Sequence, residues 1–143
     1  MKSTLKPGLT HRISLKVGDR HTVPGLFPES LVFQAMPNVF ATGYMVALFE
    51  WCCTELLNDH LDAGEGSLGV LVNFKHLAAT PPEMTITVDC EVTAVNGKTV
   101  SFTVRGHDGV DLIGEGHHER AVVNTERFNA RVAEKAKAAL AAA

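Results

Sequence analysis

Residues 43–61, GYMVALFEWCCTELLNDHL, decide the fold together with the alternating segments behind them. Met45, Leu48, Phe49, Cys52, Leu56 and Leu57 recur at three- and four-residue steps, the spacing of one helical face. Val46, Ala47, Trp51 and Cys53 widen that stripe, so the helix is expected to be wrapped on most of its sides. Gly64-Glu65-Gly66 ends it with turn chemistry. Beyond the turn, Leu68, Val70, Val72, Phe74 and His76 alternate onto one face, and Ile86, Val88, Cys90, Val92 and Ala94 do the same. Val100, Phe102 and Val104 form a third strand, and residues 112–123 a fourth.

The hairpins carry a register argument. Directly opposed residues share a face, so Val92 needs an apolar partner. A three-residue loop, Val95-Asn96-Gly97, sets Val92 opposite Val100 and Cys90 opposite Phe102, with Gly97 left-handed in a bulge. Looping His107-Asp108-Gly109 in the same way sets Val104 opposite Leu112, Phe102 opposite Gly114 and Val100 opposite Gly116. Two inward glycines leave room for the helix or for a ligand. One long apolar helix followed by antiparallel strands that bury one face is an α+β arrangement, a sheet curled around a helix, known as the hot-dog fold. Such a sheet leaves edge strands open, and a dimer is its natural completion.

Around this centre, Ile13, Leu15 and Val17 alternate in a short N-terminal strand. Residues 24–38 hold Pro24, Gly25, Pro28 and Pro37, which break regular structure, yet also Leu26, Phe27, Leu31, Phe33 and Met36. That is too apolar for a solvated loop, and it reads as a lid over a pocket. A C-terminal helix begins near Thr125, with Phe128, Val132 and Leu140 on its inner side. The 143 residues are expected to form one domain, 1–143, large enough for a core of its own.

Thirteen Lys and Arg against sixteen Asp and Glu give a net charge of −3, without the basic face that nucleic-acid binding requires. No apolar run reaches the length of a membrane span, and no signal peptide is evident, so a cytoplasmic protein is expected. Cys52, Cys53 and Cys90 are neither a disulfide framework nor a metal-binding spacing. His117 and His118 point to opposite faces of a strand and make a poor metal pair. No metal or other cofactor is expected.

Two residues interrupt the apolar pattern. Glu50 lies in the middle of the most apolar helix, where a carboxylate is costly unless it is paired or sits on the one solvated edge. Thr42, Val46 and Glu50 form one stripe at four-residue steps. Along a straight helix, Thr42 and Glu50 would stand about 12 Å apart, so sharing one small substrate requires Thr42 to precede the helix proper. His76 continues an inward strand face, although a strand-end histidine is commonly a surface residue. A carboxylate, an imidazole and a hydroxyl on facing elements suffice for acyl transfer. Arg120 shares the parity of Gly114, Gly116 and His118, which allows either a ligand contact or a surface ion pair. The glycine run 64–69 lacks the Lys of a phosphate-binding loop but offers a backbone N–H to a carbonyl oxygen.

Pro28-Glu29-Ser30, Val39-Phe40-Ala41-Thr42-Gly43, Glu50-Trp51, Gly64-Glu65-Gly66-Ser67-Leu68-Gly69, His76, His107-Asp108-Gly109-Val110-Asp111 and His118-Glu119-Arg120-Ala121-Val122 together resemble the fluoroacetyl-CoA thioesterase family of hot-dog proteins. The likeness runs from about residue 20 to residue 132. It implies a homodimer that hydrolyses a short acyl-CoA thioester without a metal, CoA being part of the substrate. The family's catalytic Thr, Glu and His fall on Thr42, Glu50 and His76, and its substrate-contacting glycine and arginine on Gly69 and Arg120. Phe33 keeps one aromatic residue of the lid that contacts the acyl group; position 36 is Met, a flexible side chain that adapts to varied shapes. A hot-dog acyl-CoA hydratase or dehydratase, or a non-catalytic acyl-CoA-binding module, is the alternative reading.

Overall fold

The computed structural model describes residues 1–142. The long helix, α3 (Thr42–Asn58), lies against a five-stranded antiparallel sheet of order β1-β3-β4-β5-β2, formed by β1 (Thr10–Lys16), β2 (Glu65–His76), β3 (Thr85–Asn96), β4 (Thr99–His107) and β5 (Leu112–Asn124). The lid contains two short helices, α1 (Val23–Leu26) and α2 (Leu31–Gln34), and α4 (Thr125–Ala142) follows the last strand. The helix packs on β1, β2, β3 and β4, which is the curled-sheet arrangement expected from the pattern.

The period-2 and period-3.6 faces meet in one core. Met45, Leu48, Phe49, Cys52 and Leu57 on α3 are buried against Ile86, Val88, Val92, Val100, Phe102 and Ile113. Burying one such large side chain is worth about 1.5–3 kcal/mol. Of the two glycines expected inward, Gly114 makes room for the helix, as Gly106 does beside it, whereas a Cβ on Gly116 would run into the Asn73 carbonyl of β2. A Cβ on Gly114 would stand 2.5 Å from Met45 Sδ, and one on Gly106 would stand 2.8 Å from the Phe49 ring. The helix is nevertheless not wrapped on most sides within one chain: Ala47, Trp51, Glu55 and Asn58 are exposed along one flank.

Both hairpin registers differ from expectation. Gly97 and Gly109 do have positive φ, 60° and 90°. However, Asn96 pairs with Thr99, so the first loop is the two-residue Gly97-Lys98, and Val92 opposes Phe102. The extra residue sits inside β3 as a bulge at Thr93 rather than in the turn, which still keeps apolar side chains face to face. In the second hairpin Leu112 pairs with His107, and a bulge at Ile113 then sets Val104 opposite Gly116, Phe102 opposite His118 and Val100 opposite Arg120. The four-residue loop 108–111 is held by Asp108, whose Oδ1 accepts the N–H groups of Val110 (3.0 Å) and Asp111 (2.8 Å). Its Oδ2 accepts the buried Thr80 hydroxyl at 2.8 Å.

Two apolar surfaces expected inside lie open. In β2 a bulge at Val70 shifts the alternation, so Gly69, Val72, Phe74 and His76 face inward while Leu68 turns to the other side. Leu68, Val70, Leu71 and Val72 are 36–58% exposed along this edge strand. On α4 Phe128 is half-buried, but Val132 and Leu140 are exposed rather than packed.

Burial pushes the Asp108 carboxyl up, but the bonds from Asp111, Val110 and Thr80 outweigh it and hold the group below its ordinary range. A depressed carboxyl contributes stability above its unfolded value and loses it as pH falls through its folded value. Asp108→Ala should therefore cost about 1–3 kcal/mol at neutral pH in urea unfolding. That difference should shrink toward acid; an unchanged midpoint at neutral pH would contradict the role of the carboxylate in the loop.

Candidate active site

At the N-terminal end of α3, Ala41 precedes the helix in extended conformation, and its N–H donates to the His21 carbonyl at 2.9 Å. Thr42 is thus the first helical residue rather than one outside the helix. Its hydroxyl lies 2.8 Å from His76 Nδ1 at the end of β2. The other ring nitrogen, Nε2, is buried with no partner. Desolvation pushes the His76 imidazolium below the usual histidine range, against an opposing backbone interaction at Ala78. Thr42 and His76 line an open cleft of about 340 Å³ with Val23, Val39, Phe40 and Leu77.

Two helical turns on, Glu50 meets a cation. Its Oε2 accepts from Arg120 Nη1 at 2.8 Å, with the Arg120 side chain 7% exposed and that of Glu50 38%. Arg120 also donates through Nε to Ser67 Oγ (2.9 Å) and through Nη2 to the Ser67 carbonyl (3.0 Å). Gly69 faces this pair: a Cβ there would collide with Glu50 Oε2 and lie 3.3 Å from the His118 ring. The bulge at Val70 produces this orientation of the strand. Such a site has one open carboxylate oxygen beside backbone that no side chain obstructs.

The expected residues therefore form two groups. Thr42 joins His76, and Glu50 joins Arg120 and Gly69, but about 12 Å of helix separates the groups within one chain. Within one chain Glu50 is half-exposed rather than largely buried. Phe33 packs edge-on against Phe27 at a centroid distance of 5.0 Å, and Met36 is 44% exposed; neither lines the cleft beside Thr42. The lid is tied at its base instead, by a Thr22–Phe40 bridge and a Val23 N–H to Val39 carbonyl bond. Sequence reading passed over Ser67 and His118. For His118 the signal was present, since it shares the parity of Arg120. Among the described residues no group of three or more metal-ligating side chains comes together.

The fluoroacetyl-CoA-specific thioesterase family, FlK, matches residues 27–126. The fluoroacetyl-CoA thioesterase of Streptantibioticus cattleyicolor is 46% identical over 138 residues, 96% of this chain and 99% of that protein. A structure of FlK, as a mutant in complex with acetyl-CoA, superposes with a TM-score of 0.89 at 46% identity, covering 92% of this chain and 98% of that one. A hot-dog-like protein from Thermanaerovibrio acidaminovorans gives a TM-score of 0.79 at 25% identity, covering 90% and 91%.

The burial of His76 has a direct readout. Its ring should titrate below the free-histidine value in a pH series of NMR spectra, staying neutral at pH 7. A midpoint at or above about 6.5 would contradict the desolvation argument.

Proposed function

We propose how this chain, which belongs to the fluoroacetyl-CoA-specific thioesterase family, cleaves its substrate. The chain is an acyl-CoA thioesterase, and its reaction is hydrolysis of a short acyl-CoA of the fluoroacetyl-CoA kind to the free acid and CoA. Glu50, with one oxygen held by Arg120, uses its other oxygen on the thioester carbon, by direct attack or by drawing the proton from an attacking water. Thr42 donates a hydrogen bond to His76 Nδ1, and His76 relays to the departing sulfur the proton that Glu50 takes from water, so the ring ends neutral as it began. The Gly69 N–H stabilises the oxygen of the tetrahedral intermediate. One water is consumed: its hydroxyl ends on the acyl carbon and its proton on CoA. Side chains and backbone suffice for this sequence of steps, with no cofactor beyond the CoA of the substrate.

The observation that carries this reading is the pairing of Thr42 with His76 and of Glu50 with Arg120, each within hydrogen-bond distance. Because the two pairs stand apart in one chain, we propose a homodimer in which Glu50 of one copy faces Thr42 and His76 of the other. The open edge of β2, with Leu68, Val70, Leu71 and Val72 exposed, supports a second copy as the element that covers it. No helix among the described residues is long and apolar enough to cross a membrane. We place the enzyme in the cytoplasm, where its three free cysteines stay reduced.

Release of free CoA from a panel of acyl-CoA esters tests the chemistry, because a hydratase would add water to a C=C bond and release none. Glu50→Ala should lower turnover by several orders of magnitude with the fold intact. The shared site has its own test. Glu50→Ala and His76→Ala chains, each inactive alone, should regain about a quarter of wild-type activity when refolded together in equal amounts. Half of the random dimers are then mixed, and each mixed dimer keeps one intact site. No recovery would return both groups to one chain.

We also propose that the lid closes over the acyl group with Phe33 and Met36 toward it. Leu31 at 88% and Val32 at 66% exposure leave the lid more apolar surface than a solvated loop carries. Met36→Phe should narrow the acyl range and change the fluoroacetyl-over-acetyl ratio of kcat/KM by at most about 10–200-fold, the discrimination one hydrophobic contact supplies. Equal ratios before and after would locate selectivity in the chemistry at Glu50 and His76.

A further inference from the structure

His118 is fully buried in β5, and both of its ring nitrogens are committed. Nδ1 lies 2.8 Å from the Leu71 carbonyl oxygen. A carbonyl can only accept, so Nδ1 carries the proton. Nε2 lies 3.2 Å from Arg120 Nη1, and a guanidinium nitrogen can only donate, so Nε2 is the acceptor. These two contacts define one protonation state, a neutral ring with its proton on Nδ1. A doubly protonated ring would set an N–H against the Arg120 N–H. Desolvation pushes the His118 imidazolium down and favours the neutral ring; the Leu71 bond opposes this, the Arg120 charge reinforces it, and Glu50 and Glu119 oppose it.

The nitrogen that donates to His118 is the one that donates to Glu50 Oε2. On the guanidinium's other side, Nε and Nη2 are held by Ser67. Remove the His118 acceptor and Nη1 is held only by Glu50, on the half-exposed side of the cluster. The Leu71 carbonyl that His118 grips directly follows the bulge at Val70, the irregularity that turns Gly69 toward Glu50. One ring thus braces both the cation beside the carboxylate and the backbone beside it.

We propose that His118 is a positioning residue for Glu50, acting through Arg120 Nη1 and the Leu71 carbonyl without touching substrate. This rests on the reading of Glu50 given above. His118→Gln presents an oxygen acceptor toward Arg120; His118→Asn retains a donor near Leu71 but no acceptor that reaches Arg120; His118→Leu has neither. The expected result is a kcat for CoA release about 10–100-fold lower in His118→Leu and His118→Asn, with KM changed far less, and most of kcat recovered in His118→Gln. If the Leu variant fails to fold, the Asn and Gln variants carry the comparison. In a Glu50→Gln background, His118→Asn should cause no further loss, because its effect passes through Glu50. Wild-type kcat in folded His118→Asn, equal losses in Asn and Gln, or an undiminished further loss in the Glu50→Gln background would each overturn the proposal. Wild-type kcat in Glu50→Gln alone would bring down the reading of Glu50, and the proposal with it. An inactive Glu50→Gln beside a fully active His118→Asn overturns the proposal only.

Discussion

A guanidinium withdrawn from water must be met on every side, and Arg120 imposes that requirement on everything around it. Glu50 supplies the countercharge, and Ser67 supplies a hydroxyl and a carbonyl. His118 supplies a lone pair, and so must remain neutral where the charge beside it is greatest. Gly69 gives up a side chain so that the carboxylate fits. The half-exposed position of Glu50 follows from this: its inner oxygen is committed to Arg120, and its outer one is left for work at the surface of the chain.

Much of this was legible in residue order. The apolar spacing from Met45 to Leu57 marked the helix, and the alternation from Ile86 to Val92 marked a strand with one buried face. Glu50 stood out because carboxylates do not belong in such a helix, and His76 because it extended an inward face. What escaped was the location of single extra residues. A bulge at Thr93 and an extra residue in the turn each leave an apolar partner opposite Val92, Phe102 in the first case and Val100 in the second, so periodicity cannot choose between them. In β2 the bulge at Val70 makes every position before it change face, which is why Leu68 was assigned to the wrong side.

The exposed apolar residues were harder to read for a different reason. Hydrophobic spacing reports that a face is covered, not which chain covers it. Leu68, Val70, Leu71 and Val72 on β2 and Val132 on α4 have the composition of a packed surface and the exposure of an open one. Arg120 illustrates the converse. Its parity was correct, but its meeting with Glu50 depends on Gly69 lying opposite it on β2, a pairing that the bulge at Val70 sets.

The plugging of sheet glycines by helix side chains has a geometric consequence. Met45 and Phe49, one turn apart on α3, seat against Gly114 and Gly106 on neighbouring strands. Two such pegs on one rod block both rotation about its axis and sliding along it, so α3 behaves as a fixed ruler carrying Thr42 at one mark and Glu50 at another. The volumes of peg and hole are conjugate at Gly106 alone. A methyl added at Gly106 calls for a shorter Phe49, whereas one at Gly114 also meets the Lys75 carbonyl at 2.8 Å, so that hole stays closed to any side chain whatever Met45 becomes.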